Sequence, residues 1–323
     1  MTSPRDGNQH DGTDIHPVTE LCWRDERPRL LNASEISCCF GLNDYKTLAQ
    51  LVAEKRGLTG LEADPESALI RRGHALEDDA VDEIQKLRPT WRISLNKDHY
   101  VDHGHRMAAI PDAIVRDPER DGIGALQIKV VSRPVFARKW QDDTPPLGYL
   151  LQLAQEMMLI PGCTWGAIGA LVIGDFTFNA YVYPVDRNRT AETRLRTAAG
   201  DFWSAFDRGD TPVIDFERDG ALIALMFPTA TPGKIVDLST DNAVGELLER
   251  REMLKATAKD VETQLKLAET AIKAKLGDAE GALVPGWRVT LKTQHRSAYE
   301  VAESTFRVLR AVRNDNPERR EAH

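Results

Sequence analysis

The chain has 323 residues, 41% of them hydrophobic and 28% charged, which is enough for one large catalytic domain with an appendage or for two modest domains. A formal net charge of −8 excludes a protein that coats nucleic acid by bulk electrostatics, although a local basic groove can coexist with an acidic remainder. No apolar run reaches the length of a membrane span and no apolar signal core opens the chain, so a cytoplasmic protein without membrane contact is expected.

Residues 1–20 are polar, with Asp6, Gly7, Asp11, Gly12 and Asp14, and read as a disordered tail. From Leu21 to Gly60 the pattern is helical. Asn32-Ala33-Ser34-Glu35 offers an N-cap before Ile36, Phe40 and Leu42, and Asp44 or Thr47 can begin a second helix that closes at Gly57. Residues 66–87 place Leu69, Ile70, Leu76, Ala80, Val81 and Ile84 at helical spacing. Strands are expected over Trp91–Leu95, Met107–Ile110, Ala113–Val115, Ala125–Val131, Ala167–Ile173 and Phe176–Tyr183. A helix over Gly148–Ile160, ended by Pro161-Gly162, interrupts them, and another over Thr190–Arg208 follows. This order predicts an α/β domain with a mixed central sheet flanked by helices, over residues 21–235. Residues 236–323 read as a long helix from Ala243 to Leu276, a short hairpin after Gly277, and a basic region with Arg288, Lys292, Arg296, Arg307, Arg310 and Arg313. The long helix has an apolar stripe that fits packing on its own domain or on a second subunit, so a homo-oligomer is one expectation. Cys22, Cys38, Cys39 and Cys163 lack metal-clamp spacing and read as reduced thiols.

Three short pieces carry chemistry: Gly73-His74-Ala75-Leu76-Glu77, then Pro111-Asp112, then Gln127-Ile128-Lys129 inside an apolar run. Hydrolysis of a phosphodiester needs an activated water, neutralised phosphate charge and a stabilised leaving oxygen. Divalent ions held by carboxylates supply most of this. Asp112 at a strand boundary is a candidate ligand for Mg²⁺, with Mn²⁺ as a substitute. The side chain at 127 and the carbonyl of Ile128 offer further hard oxygens, and Glu77 completes the cage or binds a second ion. On a strand, residues 127 and 129 share a face, so Lys129 projects beside residue 127, where its ammonium can orient water and stabilise phosphate charge. Each piece alone is common on ordinary turns, strand edges and helix surfaces; the ordered set is specific.

The set resembles the YqaJ-type viral recombinases, the lambda-exonuclease-like branch of the PD-(D/E)XK nucleases. Arg27, Ser34, Gly41, Tyr45 and Glu54-Lys55-Arg56-Gly57 follow that family's N-terminal pattern. Gly73 with Glu77, Ile110-Pro111-Asp112, Leu126-Gln127-Ile128-Lys129 and Tyr149-Leu150-Leu151-Gln152-Leu153-Ala154-Gln155 follow its central pattern, over roughly residues 25–185. The resemblance implies a restriction-endonuclease-like fold and a Mg²⁺-dependent exonuclease that digests linear duplex DNA from 5′ ends, leaving 3′ single strands for a single-strand annealing recombinase in a bacterial host. It implies Glu77, Asp112, Gln127 and the Ile128 carbonyl as metal ligands, Lys129 as the catalytic lysine, Gln152 as a site residue, and Arg27 with Ser34 as the 5′-phosphate pocket. A guanidinium fork suits phosphate oxygens.

Gln127 departs from the family's acid. It keeps one carbonyl oxygen but loses a full charge, and its NH₂ is a donor. Three readings follow: a site altered so that DNA binds without being cut, a working Gln-x-Lys variant with Asp112 and Glu77 carrying the metal, or a pseudo-nuclease kept for binding DNA ends. An endonuclease on the same fold is a more distant alternative.

Overall fold

The computed structural model describes residues 15–18, 25–58, 75–174, 177–297, 303 and 306–311. Cys22, Arg71, Arg72, Gly73, His74, Arg313 and the expected helical stretch 66–74 lie outside the described residues. The chain divides into two compact units, Met1–Met226 and Phe227–His323.

The first unit is built on a five-stranded sheet. Its strands are β3 (Arg92–Leu95), β6 (Ala113–Arg116), β7 (Ile123–Ser132), β8 (Cys163–Ile173) and β9 (Phe178–Asp186), adjacent in that order. Only β7 and β8 run parallel; the other neighbours are antiparallel. A parallel pair needs a crossover, and helix α4 (Leu147–Leu159) supplies it, following the short helix α3 (Arg133–Lys139). The sheet is therefore mixed and helix-flanked, the architecture the sequence predicts.

Alternation along β7 sorts its two faces. Leu126 and Ile128 pack with Ala80 and Ile84 of helix α2 (Glu77–Leu87), together with Trp165, Ala167 and Leu171. Ala125 packs on the other face with Leu153, Met157 and Ile168 under α4. Gly169 on β8 allows the close approach of α2, because a Cβ there would clash with Ile84 Cδ1. The body of α4 then joins α5 (Arg189–Arg208) in a second core with Leu31, Ile36, Leu51, Leu195 and Trp203.

A smaller four-stranded sheet is ordered β1 (Ile15–Val18), β4 (His99–Asp102), β5 (Met107–Ala109) and β2 (Leu31–Asn32). Here the structure departs from sequence expectation. Residues 15–18, read as part of the tail, pair antiparallel with β4. Residues 32–35 do not cap a helix through Asn32 or Ser34. They form a turn in which Glu35 accepts from both the backbone N–H and Nδ2 of Asn32 at 3.0 Å, and the 3-10 turn Ile36–Phe40 follows. Thr47 does cap helix α1 (Leu48–Lys55), in a reciprocal box with Gln50. Helix α6 (Gly220–Met226) ends this unit.

The second unit holds helix α7 (Asn242–Leu276), capped by Asp241, and a hairpin of β10 (Gly281–Val284) and β11 (Trp287–Thr290). No described residue of α7 is buried. No helix among the described residues is long and apolar enough to cross a membrane.

Candidate functional site

The site grows from the antiparallel contact of β6 and β7. Ala113 pairs with Leu126, so the preceding residue on β6's side, Asp112, comes beside Gln127. Asp112 Oδ2 accepts from the Ile128 backbone N–H at 2.6 Å and from Gln127 Nε2 at 2.5 Å. The Asp112 carbonyl accepts from the Asn96 N–H at 3.0 Å, which fixes its backbone as well. Gln127 Oε1 is buried and has no hydrogen-bond partner among the described residues.

Lys129 lies two residues on, so it faces α4 as Gln127 does. Its Nζ donates to Gln152 Oε1 at 3.0 Å and sits 4.9 Å from the ring centroid of Tyr149. Gln152 Nε2 in turn donates to Glu156 Oε1 at 2.9 Å, one helical turn further along. Glu156 is fully buried and its Oε2 has no partner among the described residues. Burial first, and then the Asp112 carboxylate, push Glu156 up to about 8, while Gln152 and Lys129 pull it down. Burial lowers Lys129, opposed by the charges of Asp112 and Glu156. These mutual influences make Asp112, Lys129 and Glu156 one electrostatic cluster.

Gln152 lines two adjoining cavities. One, of about 260 Å³, is also lined by Arg27, Asn32, Ser34, Ile110 and Glu156. The other, of about 150 Å³, is also lined by Ser34, Asn43, Tyr45, Lys129 and Tyr149. Ser34 and Gln152 thus belong to both. Arg27 opens the 3-10 turn Arg27–Arg29, and a buried lysine holds that turn: Lys55 Nζ donates to the carbonyls of Arg27 at 3.1 Å and Leu30 at 2.8 Å. Lys55 also pairs with Glu35 at 2.8 Å. Gln155 Nε2 bridges the carbonyls of Leu31 and Ala108 at 2.9 Å each, tying α4 to the small sheet beneath the same loop.

Of the residues expected from sequence, Arg27, Ser34, Asp112, Gln127, Ile128, Lys129 and Gln152 converge on this region. Glu77 is the first residue of α2, whose body covers the opposite face of the sheet. Among the described residues, no group of three or more His, Cys, Asp or Glu side chains is arranged to hold a metal ion. The sequence reading passed over Glu156. Its signal was the four-residue step from Gln152, which puts both on one helix face.

Residues 22–163 match the family model of the YqaJ-like viral recombinase domain. That span is similar to the YqaJ-like viral recombinase domain and includes Arg27, Ser34, Asp112, Gln127, Lys129, Gln152 and Glu156. The chain is also 23% identical over 288 residues to the uncharacterized protein YqaJ of Bacillus subtilis strain 168, covering 84% of this chain and 82% of that protein. Among solved structures it is similar to an alkaline exonuclease from Laribacter hongkongensis (17% identity, TM-score 0.45, covering 58% of this chain and 93% of that one). A phage-related exonuclease from Haemophilus somnus 129PT is similar at 14% identity and TM-score 0.41, covering 55% of this chain and 94% of that one.

Proposed function

We propose that the YqaJ-like domain is a divalent-metal-dependent deoxyribonuclease acting at the ends of linear duplex DNA, in the 5′ to 3′ direction. The observation that carries this reading is the placement of Lys129 against Gln152, beside Asp112, in a cavity that shares Ser34 and Gln152 with the adjoining cavity lined by Arg27. Arg27 and Ser34 would grip a terminal phosphate by charge-assisted hydrogen bonds. Lys129 would hold the scissile phosphate and the attacking water, and Gln152 keeps its ammonium in position. The donor types suit a hard cation such as Mg²⁺ or Mn²⁺: the Asp112 carboxylate, the Ile128 carbonyl and the orphaned Gln127 Oε1 are all oxygens. Such an ion, when bound, supplies charge neutralisation and a more acidic water. The 3′ single strands left behind would be substrates for a single-strand annealing protein.

A second reading has its own observation. The Gln127 amide donates to Asp112 where an acid would leave that carboxylate to a cation, which favours a protein that binds DNA ends without turnover.

The deciding experiment incubates the chain with 5′-phosphorylated linear duplex, unphosphorylated linear duplex and closed circular DNA, with Mg²⁺ or EDTA. Loss of linear DNA alone, stimulated by the 5′-phosphate and stopped by EDTA, is the expected result. Tight binding of linear DNA without degradation would replace it with the end-binding reading, and nicking of the circle would replace exonuclease with endonuclease.

A further inference from the structure

Gln127 leaves the metal site one carboxylate short on β7, and the structure contains a buried carboxylate, Glu156, with only one of its two oxygens hydrogen-bonded. The geometry points to Glu156 of α4 as the site's second acidic metal ligand, standing in from the helix for the acid missing at position 127. This rests on the nuclease reading given above.

Three observations carry it. Glu156 is 0% exposed, and Gln152 occupies only its Oε1, so Oε2 is a buried carboxylate oxygen without a partner among the described residues. Burial without a partner makes such a carboxyl keep its proton, and a cation ligated by Oε2 would take that proton's place. Second, Gln127 Oε1, 4% exposed, is also orphaned, so two buried oxygens on facing elements lack donors. Hydrogen-bond donors would normally have filled such positions; a hard cation satisfies several oxygens at once. Third, Glu156 lines the cavity of Arg27 and Ser34, and its carboxyl group feels the charges of both Asp112 and Lys129. Glu156 therefore borders the cavity that Arg27 and Ser34 line and is not an isolated core defect.

The alternative, a structural Glu156 that merely orients Gln152, needs only Oε1. A glutamine at 156 would keep that acceptor and the side-chain volume while removing the charge. The test therefore measures metal binding by calorimetry with Mn²⁺ on four proteins: the unaltered chain, Glu156→Gln, Gln127→Glu, and Gln127→Glu with Glu156→Gln. Thermal unfolding of each shows that it is folded. The expected result is Mn²⁺ binding by the unaltered chain, roughly 10–100-fold weaker binding by Glu156→Gln, and recovery in the double variant, where the acid returns to β7. Equal Mn²⁺ affinity in Glu156→Gln and the unaltered chain would overturn the assignment. So would binding that appears only once Gln127→Glu is introduced, which would still leave the nuclease scaffold standing. No Mn²⁺ binding by any of the four, all folded, would overturn both the assignment and the metal-dependent reading beneath it.

Discussion

Gln127 Nε2 and Asp112 Oδ2 are joined by a 2.5 Å hydrogen bond that fills, with a neutral amide, the gap where two facing carboxylates would repel each other. The metal-free chain consequently needs no cation to bring β6 and β7 together at this point.

Replacing Gln127 by Glu reverses that. The variant should lose roughly 1–3 kcal/mol of stability without metal, because a donor is removed and a like charge is buried next to Asp112. Millimolar Mg²⁺ should restore the loss. Thermal melts with EDTA and with Mg²⁺ check this, and a variant as stable as its parent in EDTA would show that the amide bond contributes nothing.

Lys129 Nζ donates to Gln152 Oε1 at 3.0 Å and feels the charge of Asp112, so a fixed ammonium stands beside that carboxylate. Lys129→Ala should reduce turnover on linear duplex by about 10²–10³-fold, the scale of a lost oxyanion-type donor. Mn²⁺ affinity should not fall. Comparing single-turnover rates with calorimetry separates the two effects.

Arg27 is held by Lys55 through its backbone carbonyl and lines the cavity. Arg27→Ala should therefore weaken binding of 5′-phosphorylated ends by about 1.5–3 kcal/mol, the value of hydrogen bonds to charged groups, and leave 5′-hydroxyl ends almost unchanged. Fluorescence anisotropy on the two end types reads the difference. Equal losses on both would place the phosphate contact elsewhere.

The Lys55–Glu35 pair is buried on both sides, and burial lowers Lys55 while Glu35 opposes that shift. Removing one partner leaves a buried charge, so Lys55→Met should cost about 3–5 kcal/mol in denaturant unfolding. It should also loosen the turn that carries Arg27, and with it the preference for phosphorylated ends. If Lys55→Met retained both stability and end preference, the buried pair would not be what holds the turn.

Much of this site was legible in sequence because its parts are local. Pro111-Asp112 sits at a strand start, Gln127-x-Lys129 lies in an apolar run, and Pro161-Gly162 closes α4, observed at Leu147–Leu159 against an expected Gly148–Ile160. What was missed depends on distant partners. The Asn32–Glu35 turn mimics a cap in sequence, and only Lys55, twenty residues on, reveals Glu35 as one end of a buried pair. Strand β4 was missed because its adjacent Val101 and Asp102 are both buried, an apolar and an acidic residue side by side, so it shows no alternation of apolar and polar residues. Glu156 resembled any helix acid until the packing of α4 over β7 put it beneath water's reach.

Strand β7 is in continuous parallel register with β8 from Gly124 to Ser132, and helices cover both faces of that pair. Backbone amides in such a pair should be among the last to exchange with solvent, because freeing them requires opening the whole sheet. Gln127 and Lys129 would then ride on the slowest-opening segment of the unit, while the turn bearing Arg27, held by a few side-chain bonds, opens earlier. Deuterium exchange that ran as fast at 125–131 as at 27–30 would refute this ordering. If it holds, partial unfolding would loosen the Arg27 turn before it disturbed Gln127 and Lys129, so on the proposed nuclease reading warming would erase discrimination between phosphorylated and unphosphorylated ends before it stopped cleavage.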